Sequence, residues 1–214
     1  MAAPVRTGTT PPPALHDRAL QDLSFIRRTM ENASSFTDVP GWGLVAVGCT
    51  AMVAAVIAAR QTTASDWLTV WLLEAVVAGI IGSATMWRKM RRRVRAEGAP
   101  VLSAPARKFL FGFWPAIFAG AVITFAVLDV STLTSATPQS AATLPGVWLM
   151  LYGVGVMTAG AFSVRAVPLM GAVFMLLGTV ALLARTVPGD AFLAIGFGVV
   201  QVAFGFWIAR NHGG

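Results

Sequence analysis

The sequence predicts an all-α fold, a polytopic membrane bundle of six transmembrane helices. The chain of 214 residues is 56% hydrophobic and only 12% charged, whereas soluble domains carry about 25% charged residues. Apolar runs of 18 to 21 residues match the length with which a helix crosses about 30 Å of hydrocarbon. Helices are expected because lipid offers backbone amides no hydrogen-bond partners. The six predicted spans are 42–59, 67–87, 109–128, 146–164, 166–184 and 191–209.

The distribution of lysine and arginine predicts the orientation of these spans. Of the 16 basic residues, 14 fall in the segments that share one side of a six-span chain. The 17-residue connection 129–145, on the other side, has no basic residue. Because cytoplasmic loops are enriched in lysine and arginine, the N-terminus and the C-terminus are both expected in the cytoplasm.

The segment before the first span divides into two parts. Residues 1–13 are rich in threonine and proline, and we expect a disordered tail. Within residues 14–38, apolar residues recur at spacings of three and four, which predicts a cytoplasmic amphipathic helix. Its apolar face is expected to pack on its own bundle, to lie on the membrane surface or to meet a partner helix. The transmembrane domain is expected over residues 40–210.

A dense basic run, residues 87–95, is expected to continue the second helix into the cytoplasm as far as Gly98. Cations at this place set the topology and can bind anionic lipid headgroups or a protein partner. Nucleic acid is not expected as a partner because the run has no interleaved aromatics and no DNA-binding motif. The candidate lipid or partner contacts are Arg88, Lys89, Arg91, Arg92, Arg93, Arg95 and Arg165.

The chain also matches itself at an offset of 105 residues, where 40–60 lies over 145–165 with seven of 21 positions identical. A real match implies two inverted three-helix repeats, a plan that recurs in secondary transporters with a binding site between the halves. The alternative is that a Pro-Gly pair simply opens two unrelated helices.

Glu74 is the only carboxylate well inside a predicted span, about 10 Å below the surface if counted from Trp67. An acid at this depth needs a hydrogen bond, a proton or a wet cavity, so it is either structural or functional. Ala78 and Gly82 continue its face and predict the close approach of a neighbouring helix. The candidate intramembrane polar site comprises Glu74, Tyr152, Gln201, Thr124 and Thr179.

Motifs of catalysis are missing from the sequence, which therefore predicts no catalytic residue, no metal ligand and no cofactor. His16 and His212 lie in polar tails, and the single Cys49 cannot build a thiolate zinc site. Zinc-protease, nucleophile-elbow, Walker and dinucleotide-binding patterns do not occur. A non-enzymatic protein is therefore favoured.

Three stretches, 26–43, 160–171 and 189–198, resemble a group of uncharacterised six-span bacterial integral membrane proteins. The resemblance covers nearly the whole chain. It implies the bacterial inner membrane but no activity, because the group has no assigned function.

Two functions fit these observations. The first is an accessory, sensing or scaffold subunit that engages anionic lipids, a membrane-protein partner or a second copy through its basic cytoplasmic face. The second is a small transporter or channel-like protein with inverted repeats and a site near Glu74.

Overall fold

The computed structural model describes residues 20, 22–26, 39–97, 104–134, 142–161, 163–184 and 186–212. These residues form helices and no strand. The helices of the membrane domain are α1 (Gly41–Ala58), α2 (Ala64–Glu97), α3 (Ala104–Thr134), α4 (Leu144–Gly160), α5 (Ala166–Leu183), α6 (Gly189–Leu193), a π-helix (Ala194–Val200) and α7 (Gln201–His212). The last three follow one another without a break, and together they form one element, called the last helix below.

Most of these helices are long and apolar enough to cross a membrane. Five meet both conditions, namely Gly41–Ala58, Ala64–Ala96, Pro105–Val127, Ala166–Leu183 and Gly189–Asn211. The remaining helix, α4, is an apolar helix of 17 residues and extends about 26 Å at 1.5 Å per residue. The predicted all-α fold is therefore confirmed for the described residues, and the long apolar helices are compatible with a multi-pass membrane bundle, while the sixth crossing by α4 stays a prediction.

Helix α2 extends well beyond the thickness of a bilayer core. Its 34 residues span about 51 Å, against about 30 Å of hydrocarbon. The helix continues to Glu97, so the basic run prolongs the apolar span as the sequence predicts.

The helices pack around α1 and α4. Helix α1 contacts α2 on one side and the last helix on the other, whereas α4 contacts α3 and α5. Leu149 and Ala159 of α4 are completely buried, as are Phe174 of α5 and Leu193 of the last helix. Much of α4 is therefore covered by its neighbours.

Glycines spaced by seven residues bring helix backbones into direct contact at two interfaces. A Cβ atom on Gly153 of α4 would lie 2.7 Å from the amide nitrogen of Met175 and 2.8 Å from the carbonyl oxygen of Gly171. A Cβ atom on Gly205 of the last helix would lie 2.8 Å from the amide nitrogen of Val45. Small residues permit this approach, which compensates for the weak hydrophobic drive between helices in lipid. The glycines of these two interfaces are Gly41, Gly48, Gly146, Gly153, Gly160, Gly171, Gly178, Gly198 and Gly205.

The small residues of α2 do not serve the same purpose. A Cβ atom on Gly79 or on Gly82 would have no described atom within 4 Å. The close approach that the sequence predicts at Gly82 is therefore not made by the described helices, whereas Ala78 is half-buried.

The segment before the membrane domain forms a separate unit, Met1–Ser34. Within it, residues 22–26 are helical, and Leu23 and Ile26 of the predicted apolar face are exposed. The rest of the predicted helix at 14–38, and the predicted tail at 1–13, lie outside the described residues apart from Leu20.

Candidate functional site

The intramembrane acid Glu74 is held by a hydroxyl on the neighbouring helix. Thr50 of α1 donates a hydrogen bond of 2.8 Å to Glu74 Oε1 on α2, and it also lies 2.9 Å from the carbonyl oxygen of Val47. The Glu74 side chain is half-buried at this interface. The sequence analysis did not predict Thr50 as the partner of Glu74. Thr50 occurs in a run of small residues, where a threonine is usually interpreted as a packing residue.

Tyr152 and Gln201 form a second polar pair, in the core between α4 and the last helix. The Gln201 amide Nε2 donates to the Tyr152 hydroxyl over 3.1 Å, and Gln201 is only 2% exposed. Rings of Phe174 and Phe197 cross the tyrosine ring at centroid distances of 4.8 and 5.1 Å. A buried amide in this apolar setting depends on its partner, because an unpaired polar group there is costly.

A π-helix directly precedes Gln201. It covers Ala194–Val200 and contributes Phe197 to the tyrosine's surroundings. A π-helix widens the backbone turn and changes the direction in which the following side chains point, and such segments are frequent at functional sites. The sequence offered no signal for this irregularity, because Gly196 and Gly198 also suit an ordinary packed helix.

The remaining predicted polar residues lie elsewhere. Thr124 of α3, 5% exposed, accepts a hydrogen bond of 2.8 Å from the indole nitrogen of Trp148 on α4. Thr179 of α5 is exposed and donates to the carbonyl oxygen of Met175 in its own helix. The candidate residues thus belong to several separate contacts: Glu74 with Thr50, Tyr152 with Gln201, Thr124 with Trp148, and Thr179 alone on its helix.

A carboxylate that the sequence analysis did not single out organises the end of the bundle opposite the basic run. Asp190 Oδ1, at the start of the last helix, accepts hydrogen bonds from the indole nitrogens of Trp67 at 2.6 Å and Trp71 at 3.2 Å. The Trp67 ring stacks on Trp148 with a centroid distance of 5.8 Å. The sequence does contain a signal for this contact, namely two tryptophans four residues apart. Residues at this spacing share a helix face, and both tryptophans lie at the same end of the bundle as Asp190.

The basic part of α2 carries its arginines on one face. Arg88, Arg91, Arg92 and Arg95 are exposed and recur at helical spacings of three, four and seven, whereas Met90 on the opposite face is buried. We call these four residues the arginine stripe. The Arg91 guanidinium lies 4.9 Å from the centre of the Trp87 ring, a cation–π contact.

The other predicted basic contacts have different settings. The Lys89 ammonium donates to the carbonyl oxygen of Val39 at 3.2 Å, which joins α2 to the segment before α1. Arg165 is exposed at the start of α5. The side chain of Arg93 lies outside the described residues.

Metal-ligand chemistry and similarity to known proteins add no further site. Within the described ranges, no group of three or more His, Cys, Asp or Glu residues could hold a metal ion. No family model matches the chain, and the comparisons with curated proteins and with solved structures give no match either.

Proposed function

We propose that this chain is a non-enzymatic accessory, sensing or scaffold protein of the bacterial inner membrane that engages anionic lipid through a basic cytoplasmic face. The observation that carries this proposal is the arginine stripe. Residues 88–97 of α2 extend about 15 Å past Trp87, beyond the apolar part of the helix. Both termini lie in the cytoplasm in this arrangement, on the same side as the stripe.

The geometry of the stripe suits a membrane surface. Its four cations point away from buried Met90, so they can face headgroups together. Each cation near an anionic surface contributes about 1 kcal/mol. Trp87, at the boundary between the apolar and basic parts of α2, has the amphipathic ring that favours the interface. Its contact with Arg91 keeps that guanidinium at the level where phosphates lie.

Energy transfer from the tryptophans to labelled lipids tests this proposal. The full chain is reconstituted into phosphatidylcholine vesicles with traces of dansyl-phosphatidylglycerol or dansyl-phosphatidylcholine. We expect stronger transfer to the anionic label and a loss of this preference at high salt, because exposed charges are screened. Replacing both Arg92 and Arg95 by glutamine lowers the preference several-fold.

The matched control removes two charges elsewhere. Arg60 and Arg185, which follow the first and fifth predicted spans, are replaced by glutamine in the same way. We expect this variant to keep the anionic preference of the unchanged chain. If R92Q/R95Q keeps it as well, the stripe does not select anionic lipid and the proposal is wrong.

A small transporter or channel-like protein with a site near Glu74 is the second candidate function. A half-buried carboxylate bonded to Thr50 inside the predicted spans favours it, since acids at such depth often serve ion pathways. Replacing Glu74 by glutamine keeps an acceptor for Thr50 but removes the charge. A transport role predicts that proton or ion flux into vesicles falls at least tenfold in E74Q, and unchanged flux contradicts it.

The inverted repeat that supported the transporter can be examined at one of its seven identical positions. Gly48 and Gly153 coincide at the offset of 105 residues, and both lie at close helix contacts. Gly48, however, meets the last helix, whereas Gly153 meets α5. In an inverted pair of three-helix repeats, α1 is equivalent to α4 and the last helix is equivalent to α3. Because Gly48 of α1 meets the last helix, the equivalent Gly153 of α4 should meet α3. This glycine pair therefore does not make equivalent contacts, and the inverted repeat stays a prediction.

A further inference from the structure

The hydroxyl of Thr50 makes two hydrogen-bond contacts with a single hydrogen. Its Oγ1 lies 2.8 Å from Glu74 Oε1 and 2.9 Å from the carbonyl oxygen of Val47. Both distances are those of hydrogen bonds between oxygens. A threonine hydroxyl has one hydrogen to donate, whereas a carbonyl oxygen and an ionised carboxylate have none. If Glu74 is ionised, one of the two contacts therefore brings two oxygens together without a hydrogen between them.

A proton on Glu74 completes both contacts. The neutral acid donates its O–H to Thr50 Oγ1, and Thr50 donates its own hydrogen to the carbonyl oxygen of Val47. When the proton leaves, Thr50 turns its hydrogen towards the carboxylate and releases Val47. No heavy atom has to move in this exchange, because a hydroxyl hydrogen rotates to suit its partner. The pair therefore accommodates both the protonated and the ionised form of Glu74.

The helices beside Glu74 place no cation at its depth. Their titratable and charged groups are Cys49 and, past the helix end, Arg60 for α1, Asp66, the basic run 88–95 and Glu97 for α2, and Asp190, Arg210 and His212 for the last helix. Arg60 lies about 15 Å beyond Thr50 along the axis, and the basic run begins about 21 Å beyond Glu74. Asp190 is already bonded to two indoles. An ionised Glu74 therefore lacks a counterion, and hydrocarbon accepts the neutral acid more readily.

The pair is reached from the outer surface of the bundle. Both side chains are half-buried, at the edge of the interface between α1 and α2. Val53, one turn after Thr50, is 61% exposed, and Leu73, next to Glu74, is 62% exposed. Only 11% of the apolar span of α2 is buried within the described chain. A small apolar reagent dissolved in lipid therefore reaches the carboxyl without entering the core.

We propose that Glu74 and Thr50 form a reversible proton-binding site on the lipid-facing side of α1 and α2. Glu74 carries the proton. Thr50 is a positioning residue, which accepts the O–H of the acid and donates to the carboxylate after the proton is released. The inference goes beyond the lipid-binding function, because the arginine stripe takes no part in it. For the transporter candidate it names the proton as the ion that Glu74 binds.

Dicyclohexylcarbodiimide, an apolar reagent, tests the site in the unchanged chain reconstituted into vesicles. A neutral carboxylic acid adds across one C=N bond of the reagent: the carboxyl oxygen bonds to the central carbon, and the acid proton passes to nitrogen. The adduct rearranges to a stable N-acylurea, which mass spectrometry of peptides locates. At neutral pH we expect Glu74 to be modified about tenfold more than the exposed Asp66, because a carboxyl in water is ionised there.

The pH and the polarity of the reagent decide the outcome without any variant. Modification of Glu74 should fall as the pH is raised, since the reacting proton is lost. A water-soluble carbodiimide should modify Glu74 far less than the apolar reagent does. Absence of the Glu74 adduct at neutral pH, or its formation with the water-soluble reagent alone, overturns the inference.

Infrared spectroscopy reports the proton and the role of Thr50. The neutral acid has a C=O stretch that disappears on ionisation, and we expect this band at neutral pH in the unchanged chain. It should be absent from E74Q and present in D66N, the matched control. In T50V the band should move to higher wavenumber, because the acid loses its hydrogen-bond partner. A band that persists in E74Q overturns the proton site, and a band that T50V leaves in place overturns the positioning role of Thr50.

Sodium distinguishes a proton site from a metal-ion site. Sodium chloride should protect Glu74 from the apolar carbodiimide no better than choline chloride does, and selective protection by sodium overturns the proton site. The transporter candidate fails separately. Modification of Glu74 combined with unchanged flux in E74Q keeps the proton site and rejects transport. Reduced flux in E74Q without modification of Glu74 in the unchanged chain keeps transport and rejects the proton site.

Discussion

The indole nitrogen of Trp67 donates a hydrogen bond of 2.6 Å to the carboxylate of Asp190, although 123 positions separate the two residues. The bond joins the start of α2 to the start of the last helix. Helix α1 packs against both of these helices. Asp190 therefore connects α2 directly to the last helix, the two helices that flank α1, at the end of the bundle opposite the arginine stripe. Trp71 strengthens it by donating to the same oxygen at 3.2 Å.

Removal of this carboxylate should loosen that end of the bundle. In D190A, two partly buried indole N–H groups lose their acceptor, so we expect the free energy of unfolding to fall by about 1–3 kcal/mol. Thermal unfolding of the purified protein in detergent measures the loss. Asp66 provides the control, because among the described residues its carboxylate accepts a hydrogen bond from Thr63, three residues earlier in the same chain segment, and makes no long-range hydrogen bond. A loss in D66A as large as in D190A shows that the long-range connection adds nothing.

The pair of Tyr152 and Gln201 predicts strong coupling between two substitutions. Y152F leaves the amide of Gln201 buried without its hydroxyl partner, at an expected cost of about 1–3 kcal/mol. Q201L alone leaves the hydroxyl without its partner and also costs stability. The double variant Y152F/Q201L removes both polar groups, so it should be more stable than the sum of the single losses predicts.

Unfolding measurements on the unchanged chain, the two single variants and the double variant complete this double-mutant cycle. Additive losses contradict a direct stabilising bond between the two side chains. A functional role for the pair, in contrast, predicts that the double variant folds well but no longer supports the protein's activity in the cell.

Much of the fold was predictable because hydrophobic length is a strong signal. The first predicted span, 42–59, differs from α1 (Gly41–Ala58) by one residue at each end. The predicted span 109–128 runs through Pro115, and α3 does the same, since a proline is tolerated inside membrane helices. The sequence did not reveal the π-helix Ala194–Val200, because apolar periodicity does not report backbone hydrogen bonding.

The polar contacts were less predictable than the helices. The sequence analysis grouped Glu74, Thr124, Tyr152 and Thr179 into one candidate site inside the predicted spans, but similar depth in a membrane does not by itself bring side chains together. Rotation of each helix about its axis decides that, and it is set by packing rather than by local sequence. Thr179 consequently lies on an exposed face, whereas Thr124 meets Trp148.

The orientation of the chain predicts the accessibility of two exposed positions. Ser65 lies at the start of α2, and Ala96 lies near its basic end. In a background with Cys49 replaced by serine, single cysteines are introduced at these positions. A membrane-impermeant maleimide added to intact spheroplasts should label S65C, and it should label A96C only after permeabilisation. Immediate labelling of A96C alone contradicts cytoplasmic termini.

The glycine contacts predict opposite outcomes for two chemically identical substitutions. In G153A, the added methyl group meets backbone atoms of α5 at under 3 Å, and backbone cannot move aside as a flexible side chain does. Helices α4 and α5 must separate, so we expect a loss of about 1–3 kcal/mol in the free energy of unfolding. In G79A, the methyl group meets no described atom within 4 Å and replaces glycine with the best helix former. This variant should therefore match or exceed the stability of the unchanged chain, by up to about 1 kcal/mol.

Stepwise unfolding in sodium dodecyl sulfate, followed by the tryptophan emission, compares these two variants in one experiment. Because α4 lies at the centre of the packing, the loss in G153A should shift the whole transition rather than a minor phase. A G79A variant that unfolds as early as G153A indicates that the exposed face of α2 is occupied, and it assigns that face to contact with another chain. A G153A variant as stable as the unchanged protein contradicts the backbone contact between α4 and α5.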